Sequence, residues 1–331
     1  MEIKMIYKCH NCGGNVVYDP QRKKMYCAHC EGTDSEEPVS GGGAAQCASC
    51  GAPLQIKPFQ SAGKCEHCGC YQIFEERVSG QFTPHLILPF EISRQEAERK
   101  LNTEFGWRTF APSSFLSRAT IQKMEGMYVP FFMYDYHVHY DWSGKGTKVR
   151  AWTSGDTEYT ETSYYHINRS MEVDFTRIPV DASNQMDDKK MDLVEPYDYW
   201  ALEQFQMKYM SGFFGEMYNQ GSEQLEPRAH KKAERDTEEL MMQSIVGYST
   251  LANEYRNMNV NQKTVDYALM PVWVYEYAYR GETYTFYVNG QTGKVIGEMP
   301  VSKPKMIGYS ASVFGFMMVI GQLVRMIMEV M

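Results

Sequence analysis

The alternation of apolar and polar residues is strongest in the middle of the chain, in the phrase YVPFFMYDYHVHYDW at 128–142. Successive side chains of a β-strand point to opposite faces, so a period of two predicts a half-buried strand. Five residues would share its apolar face: Tyr134, Tyr136, Val138, Tyr140 and Trp142. We therefore predict that this strand lies in the core of a sheet domain.

The other face of the same strand carries two histidines and two aspartates: Asp135, His137, His139 and Asp141. Such a set could ligate a metal ion or hold a general base, and it raises the hypothesis of a hydrolase. A solvated face is favoured, because antiparallel sheets often expose one polar face to water. A catalytic site would also need partners from elsewhere, and the sequence offers no obvious third ligand.

A related phrase returns later in the chain, because residues 129–136 align with residues 270–277. Each phrase has a proline at its second position, where a strand start tolerates the missing N–H. This repetition predicts two related antiparallel meanders. The sequence SGKG at 143–146 is predicted to turn the first meander, and Asn289-Gly290 to close the second as a two-residue hairpin turn.

Helical signals flank these strands. Ser93 and Glu96 have the spacing of a capping box, and Gly106 is placed to end the helix. The segments 195–219 and 227–258 are predicted to be helical as well. Strands and helices together predict an α+β fold in which helices pack on an antiparallel sheet.

The residues from 306 to 324 contain no charge. As a helix they would span roughly 28 Å, close to the hydrocarbon thickness of about 30 Å. Lys303 and Lys305 precede this run, so the positive-inside rule keeps residues 1–300 in the cytoplasm and places the protein at the cell membrane. The alternative is a helix buried in the core of the protein.

One face of this predicted helix carries small or uncharged polar residues: Gly308, Ser312, Gly315 and Gln322. Small residues allow helices to approach closely in lipid. The tail therefore predicts contact with the bilayer and an oligomer that forms through the helix.

Eight of the nine cysteines form four Cys-x-x-Cys pairs: Cys9, Cys12, Cys27, Cys30, Cys47, Cys50, Cys65 and Cys68. The spacing C-x2-C-x14-C-x2-C occurs twice. The N-terminus lacks the apolar segment of a signal peptide, and cytosolic thiols stay reduced, so metal binding is favoured over disulfides or redox pairs. Four thiolates suit tetrahedral zinc. We predict two zinc ribbons, two Zn²⁺ per chain, and a leftover Cys70.

The charge balance argues against nucleic acid as a partner. The chain has 33 Lys and Arg against 41 Asp and Glu, for a net charge of −8. Residues 1–80 hold eight basic and nine acidic residues, whereas a domain that binds phosphates should be basic.

The sequence also lacks the phosphate-binding loop of ATPases and the motifs of common hydrolases. We therefore expect no enzyme.

These patterns predict four units: ribbon one at 1–38, ribbon two at 39–79, an α+β domain at 80–302, and the membrane helix at 303–331. The segment EGTDSEEPVSGGGAAQ, at 31–46, is predicted to be a flexible linker between the ribbons.

The chain resembles a bacterial family of membrane-anchored double zinc-ribbon proteins, often labelled phage replication or primosomal helicase-like proteins. The resemblance rests on the paired ribbons, on YVPFFMYDY, MPVWVYEY and YMSGFFGEMY, and on YVNGQTGKVIGEMPVSKPK before an apolar tail. Members of this family are commonly found alongside stomatin/flotillin-like membrane-stress proteins, so the resemblance implies a membrane-bound partner or recruiter in an envelope-stress or envelope-maintenance complex. The resemblance provides no catalytic residue.

The sequence thus favours a non-enzymatic, tail-anchored scaffold that recruits membrane-associated proteins at the cytoplasmic face of the membrane. The alternative is a nucleic-acid-binding replication accessory protein that uses its zinc ribbons.

Overall fold

The computed structural model describes residues 3–33, 37–41, 43, 45–121 and 123–330, and it confirms the α+β fold class. The strands are β1 (Lys4–Tyr7), β2 (Val16–Asp19), β3 (Lys24–Cys27), β4 (Pro38–Gly41), β5 (Gln60–Lys64), β6 (Tyr71–Phe74), β7 (Leu86–Ile87), β8 (Glu125–Ser154), β9 (Thr157–Asp181), β10 (Glu203–Gln204), β11 (Phe214–Glu216), β12 (Thr250–Tyr279), β13 (Glu282–Asn289) and β14 (Val295–Ile296). The helices are α1 (Arg94–Phe105), α2 (Arg118–Ile121), α3 (Asp188–Val194), α4 (Ser222–Ser244) and α5 (Lys303–Val330).

Among the described residues, twelve strands form one mixed sheet in the order β10-β7-β12-β8-β11-β5-β6-β1-β4. Off this path, β9 pairs with β8, β13 pairs with β12, and β14 pairs with β13. Strands β2 and β3 form a separate hairpin. The two longest strands, β8 and β12, have 30 residues each and pair antiparallel with each other. They are the central pair on which the remaining strands and helices assemble.

The two repeated phrases lie on this central pair and face each other. Val129 is paired with Met270, and these residues are also equivalent positions of the two phrases. Just before Pro130, residues 127–128 of β8 pair in parallel with the short strand β11. Just before Pro271, residues 268–269 of β12 pair in parallel with the short strand β7. Just after its proline, each strand pairs antiparallel with the strand that follows it, β9 or β13. An approximate two-fold rotation therefore relates the two halves.

Both prolines lie where one neighbouring strand gives way to the next. The carbonyl of Pro130 accepts a hydrogen bond from Ala182 N at 2.8 Å, and that of Pro271 accepts one from Gly290 N at 2.9 Å. At such a change of partner the ladder is interrupted, so the missing N–H is tolerated. This explains how two prolines fit into central strands.

The predicted apolar face of β8 forms part of the core. Its residues are at most 1% exposed: Tyr134, Tyr136, Val138, Tyr140 and Trp142. Helix α4 contacts β8 and β9, and it buries the small residues Ala229 and Ala233 completely. The Tyr134 hydroxyl donates to the Ser222 carbonyl at 2.7 Å, so the start of the helix is also held to this face.

The start of helix α1 is confirmed. The Ser93 hydroxyl accepts a hydrogen bond from Glu96 N at 3.3 Å, which satisfies one of the free N–H groups of the first turn. At the other end, Gly106 N donates to the Asn102 carbonyl at 2.7 Å. Ala97, Leu101 and Phe105 form the buried face of the helix.

The helix predicted over 195–219 is wrong. This segment forms 3₁₀ turns and the strands β10 and β11, and Gly212 adopts a φ of 102°. Strand β11 fits between β8 and β5, where strand pairing outweighs the helical spacing of the aromatic residues. The second predicted helix, over 227–258, is confirmed as far as Ser244, after which the chain enters β12.

The turn predicted at 143–146 is also wrong, because β8 continues through these residues. A Cβ on Gly144 would lie 2.4 Å from the Ala252 carbonyl oxygen, so this glycine allows close approach of the neighbouring strand. The chain turns instead at Gly155, with a φ of 63°. Glycine is favoured at the first position of a type II′ hairpin turn.

The turn after Asn289 is longer than the two residues predicted, because β14 begins only at Val295. The Asn289 side-chain oxygen accepts hydrogen bonds from Gln291 N and Thr292 N, both at 2.9 Å. This side chain therefore organises the turn by binding the backbone that follows it.

Part of the predicted flexible linker is ordered. Within 31–46, the strand β4 pairs antiparallel with β1 at the edge of the large sheet. Residues 34–36, 42 and 44 of that segment lie outside the described residues. The connection between the two cysteine clusters thus contributes to the sheet.

Candidate metal centres and membrane helix

The first cysteine cluster is formed by two turns that bring four thiols together. The sulfur atoms of Cys9, Cys12, Cys27 and Cys30 all lie within 4.8 Å of one another. The Cys9 and Cys30 sulfurs are 3.4 Å apart, and the Cys12 and Cys27 sulfurs are 3.6 Å apart. A tetrahedron with Zn–S bonds of about 2.3 Å has edges of about 3.8 Å, so this donor set fits one zinc ion.

The second cluster has the same arrangement. The sulfur atoms of Cys47, Cys50, Cys65 and Cys68 lie within 4.8 Å of one another. The Cys47 and Cys68 sulfurs are 3.7 Å apart, and the Cys50 and Cys65 sulfurs are 3.9 Å apart. The predicted grouping into two four-cysteine clusters is therefore confirmed, and each cluster could hold a metal ion.

In each cluster, the first Cys-x-x-Cys pair forms a turn that is followed by a residue with positive φ. Gly13 has a φ of 70°, and its N–H donates to the Cys9 carbonyl at 2.8 Å. Gly51 has a φ of 74° and makes the corresponding bond to Cys47 at 2.9 Å. Glycine takes this backbone conformation without steric cost, which is why it follows these pairs.

The local electrostatics favour thiolates at the first cysteine of each cluster. The backbone N–H groups of Cys12 and Asn11 lower the pKa of Cys9 to about 6. Burial by itself would raise the pKa of Cys47, but the N–H groups of Cys50 and Ser49 outweigh it and lower the pKa to about 7. The thiolate is the form that binds metal, so Cys9 and Cys47 are suited to bind a divalent cation.

The first cluster is held against the body of the protein by the hairpin between its cysteine pairs. The Ser211 hydroxyl donates to the Val16 carbonyl at 2.8 Å, and Tyr18 N donates to the Ser211 carbonyl at 2.8 Å. The rings of Tyr18 and Tyr209 meet edge to face, with centroids 5.1 Å apart. The hairpin β2–β3 thus packs on the segment that precedes β11.

The second cluster is built into the large sheet. Strand β5 lies between β11 and β6, and it ends at Lys64, directly before the ligand candidate Cys65. Strand β6 then pairs with β1, whose last residue, Tyr7, lies two positions before Cys9. The second cluster therefore connects strands of the large sheet, whereas the first connects β1 to the separate hairpin β2–β3, whose last residue is Cys27. A metal ion in either cluster would fix how these elements meet.

Cys70 belongs to neither cluster. It is 1% exposed, and its thiol donates to the Tyr71 carbonyl at 3.5 Å. Burial raises the pKa of Cys70 to about 11, which keeps the thiol protonated. Its position agrees with the prediction of a leftover thiol.

The histidines and aspartates of β8 do not come together as one group. The His137 Nδ1 lies 2.9 Å from Asp174, and the His139 Nε2 lies 3.1 Å from Asp141. Asp135 instead accepts a hydrogen bond from the backbone N–H of Arg177 at 2.8 Å. These side chains are partly exposed and form separate pairs, as expected of a solvated sheet face.

The C-terminal apolar helix is exposed from Lys303 to Met328. From Lys303 to Met328, α5 is long and apolar enough to cross a membrane, and none of this stretch is buried. It is the one such helix in the described part of the chain. The alternative of a helix buried in the core is therefore not what the structure shows.

A long arm, formed by residues 145–154 of β8, 157–166 of β9 and 250–254 of β12, was not predicted from the sequence. Most side chains on both faces are exposed there, which gives no amphipathic signal. Near its tip, the rings of Trp152 and Tyr159 stack across the hairpin with centroids 5.6 Å apart, and both are more than 40% exposed. The density of tyrosine and tryptophan between 152 and 165 was the available signal.

The fold and the clusters define a protein with two candidate four-cysteine metal sites, a mixed-sheet α+β body and an exposed apolar C-terminal helix. The chain belongs to the family of YdjG from Bacillus subtilis (strain 168), which is described as an uncharacterized protein. The two are 33% identical over 322 residues, which cover 93% of this chain and 94% of YdjG. No protein-family model matches the chain, and no solved structure matches it.

Proposed function

We propose that the protein is a non-enzymatic scaffold, stabilised by two zinc ions and anchored by its tail at the cytoplasmic face of the cell membrane. The observation that carries the proposal is that no residue of α5 from Lys303 to Met328 is buried against the folded body. An exposed apolar helix of this length is costly in water and is stable in a bilayer.

The orientation follows from the charges beside the helix. Lys303 and Lys305 lie on the body side of the uncharged run, and Arg325 lies beyond it. Basic residues favour the cytoplasmic side, so the body with its reduced cysteines would face the cytoplasm. Gly308, Ser312 and Gly315 would let α5 pair with a second copy.

The arm provides a surface for protein partners. It exposes aromatic side chains, which are common in protein interfaces. Its charges are of both signs, and Lys145 pairs with Glu254 at 2.7 Å. A surface for nucleic acid would instead be dominated by unpaired basic residues. By the family resemblance of its sequence, the partners would be membrane-associated proteins of the stomatin/flotillin-like kind.

Alkaline-carbonate extraction tests the anchor. Membranes from cells that make the full chain are compared with membranes from cells that make a chain stopped after Pro300. The full chain is expected to remain in the pellet, whereas the shortened chain is released. If both are released, α5 is not a membrane span and the proposed site of action is wrong.

A detergent-extract pull-down tests the scaffold. The full chain is expected to recover membrane-associated proteins, and a chain with Trp152→Ala and Tyr159→Ala should recover less of them. A matched control is Trp200→Ala, since Trp200 is 83% exposed but lies outside the arm. Recovery of no membrane protein, or tight salt-sensitive binding to DNA, would contradict the proposal.

A further inference from the structure

The loop between α1 and α2 is fixed at both ends by aromatic residues of the core. Phe105 and Phe115 are 3% and 1% exposed, and their rings contact each other with centroids 6.0 Å apart. Between these anchors the chain projects outward, and Trp107 is 74% exposed. A tryptophan this exposed is unusual for a side chain that gains from burial of its ring.

The same loop is tied to the start of α5. Ser302 N donates to the Phe110 carbonyl at 2.8 Å, and the Lys305 Nζ donates to the Ala111 carbonyl at 2.8 Å. The rings of Phe110 and Tyr309 meet edge to face, with centroids 5.5 Å apart. The loop therefore lies beside the first two turns of the membrane helix.

These contacts fix the depth of the loop relative to a bilayer. The uncharged run begins at Met306, so Tyr309 lies near the boundary between headgroups and hydrocarbon. Phe110 lies three positions after Trp107, which limits their Cα distance to about 11 Å. The two headgroup regions of a bilayer are together about 10–15 Å thick. Because Phe110 contacts Tyr309 near the edge of the hydrocarbon, Trp107 can reach the headgroup region on that side.

The residues of the loop suit such a position. Tryptophan is enriched at membrane interfaces, where its ring lies among headgroups and its N–H can be hydrated. The Arg108 guanidinium lies 5.4 Å from the Trp107 ring, and Lys303 and Lys305 add positive charge at the same level. Cations beside the ring can pair with lipid phosphates.

We propose that the loop 106–114 is a second membrane-binding element, which inserts Trp107 into the headgroup region of the leaflet that α5 enters. The inference rests on the proposed anchor, because α5 sets the position of the loop. Two attachment points would hold the body at a defined tilt over the membrane, whereas a single helix would let it swing.

Tryptophan quenching by brominated lipid tests this inference. The full chain is reconstituted into vesicles of phosphatidylcholine and phosphatidylglycerol, in which the phosphatidylcholine carries bromine near the headgroup end of its acyl chains. The wild type is compared with Trp107→Phe and with the matched control Trp200→Phe. Both tryptophans are exposed, at 74% and 83%, so neither change should disturb the core.

The wild type and Trp200→Phe are expected to lose emission in brominated vesicles, and Trp107→Phe is expected to lose most of this quenching. Flotation of the vesicles checks the anchor separately. If Trp107→Phe floats and is quenched as strongly as the wild type, the loop does not insert and only this inference fails. If the wild type does not float with the vesicles, the anchor and the inference fail together.

Discussion

Val129 and Met270 lie opposite each other on the central antiparallel strands, although they are 141 positions apart in the chain. They are also equivalent positions of the repeated phrases. The body therefore consists of two related halves, and the repeated phrase of one half pairs with that of the other. Each half has the same change of strand partner at its proline.

Zinc content should depend separately on each cluster. We expect two Zn²⁺ in the wild type, and one in Cys9→Ser or Cys47→Ser, measured by mass spectrometry of the purified chain. Loss of a site also removes folding free energy, and each kcal/mol lost lowers the Tm by about 2–4 °C in a domain of this size. Cys70→Ala should retain both ions. A wild-type chain without stoichiometric metal would refute the zinc sites.

The histidine and aspartate face of β8 should contribute no third ion. A chain with His137→Ala and His139→Ala is expected to bind the same two Zn²⁺ as the wild type, because these side chains pair with Asp174 and Asp141 rather than with each other. A third, labile metal that this double variant loses would revive the hydrolase hypothesis.

Asp181 should make the stability of the body depend on pH. It is fully buried, and burial outweighs the nearby Arg228 to raise its pKa to about 6. The folded state therefore holds the proton more tightly than the unfolded state, whose pKa is about 3.9. Protonated Asp181 contributes its full share to the free energy of unfolding below about pH 4. This contribution is lost as the pH rises through about 6, by up to about 3 kcal/mol.

Asp181→Asn should lack this step. Arg228 keeps Asp188 and Asp192 as partners, at 3.2 and 2.8 Å, so the variant leaves no isolated buried cation. We expect the stability of the variant relative to the wild type to increase between about pH 4 and about pH 7. Denaturation curves at several pH values measure it, and parallel pH profiles would show that the Asp181 carboxyl is not the titrating group.

The two central prolines should behave alike. Pro130→Ala and Pro271→Ala each leave the ladder intact but give the unfolded chain more freedom, so each should destabilise by about 0.4–1 kcal/mol. Val272→Pro, one position further along, is the control and should cost much more, since it places a proline inside the β13 ladder. Unequal effects of the two alanine changes in thermal melts would show that the halves are not energetically equivalent.

The tip of the arm should contribute little to global stability. Trp152→Ala with Tyr159→Ala removes a stacked pair that lies far from the core, and we expect a change below about 0.5 kcal/mol. The same variant is expected to lose protein partners. A large fall in Tm would instead show that the arm belongs to the cooperative fold.

The sequence was most informative where one physical requirement dominates. The period of two from Tyr134 to Trp142 predicted the buried face of β8, and the cysteine spacing predicted both clusters. In each case the residues that must meet are close in the chain or follow a simple period. The pairing of Val129 with Met270 could not be predicted, because a repeat does not indicate which strands become neighbours.

The errors arose where distant parts of the fold decide the local structure. Glycine is typical of turns, but Gly144 lies within β8, where it allows the Ala252 carbonyl of the neighbouring strand β12 to approach closely. The aromatic residues of 195–219 have helical spacing, but Ser211 binds the first cysteine hairpin and β11 enters the sheet. Such contacts between remote segments outweigh local propensity.

The separation of Val129 from Met270 also sets an order of events during synthesis. The central ladder cannot close until β12 has been made, and pairing over so many residues is slow, because the loop must close before its contacts form. Only 24 positions separate the end of β12, at Tyr279, from the start of α5, at Lys303. We therefore expect the apolar helix to be synthesised almost as soon as the body can begin to fold, so that delivery to the membrane competes with completion of the sheet.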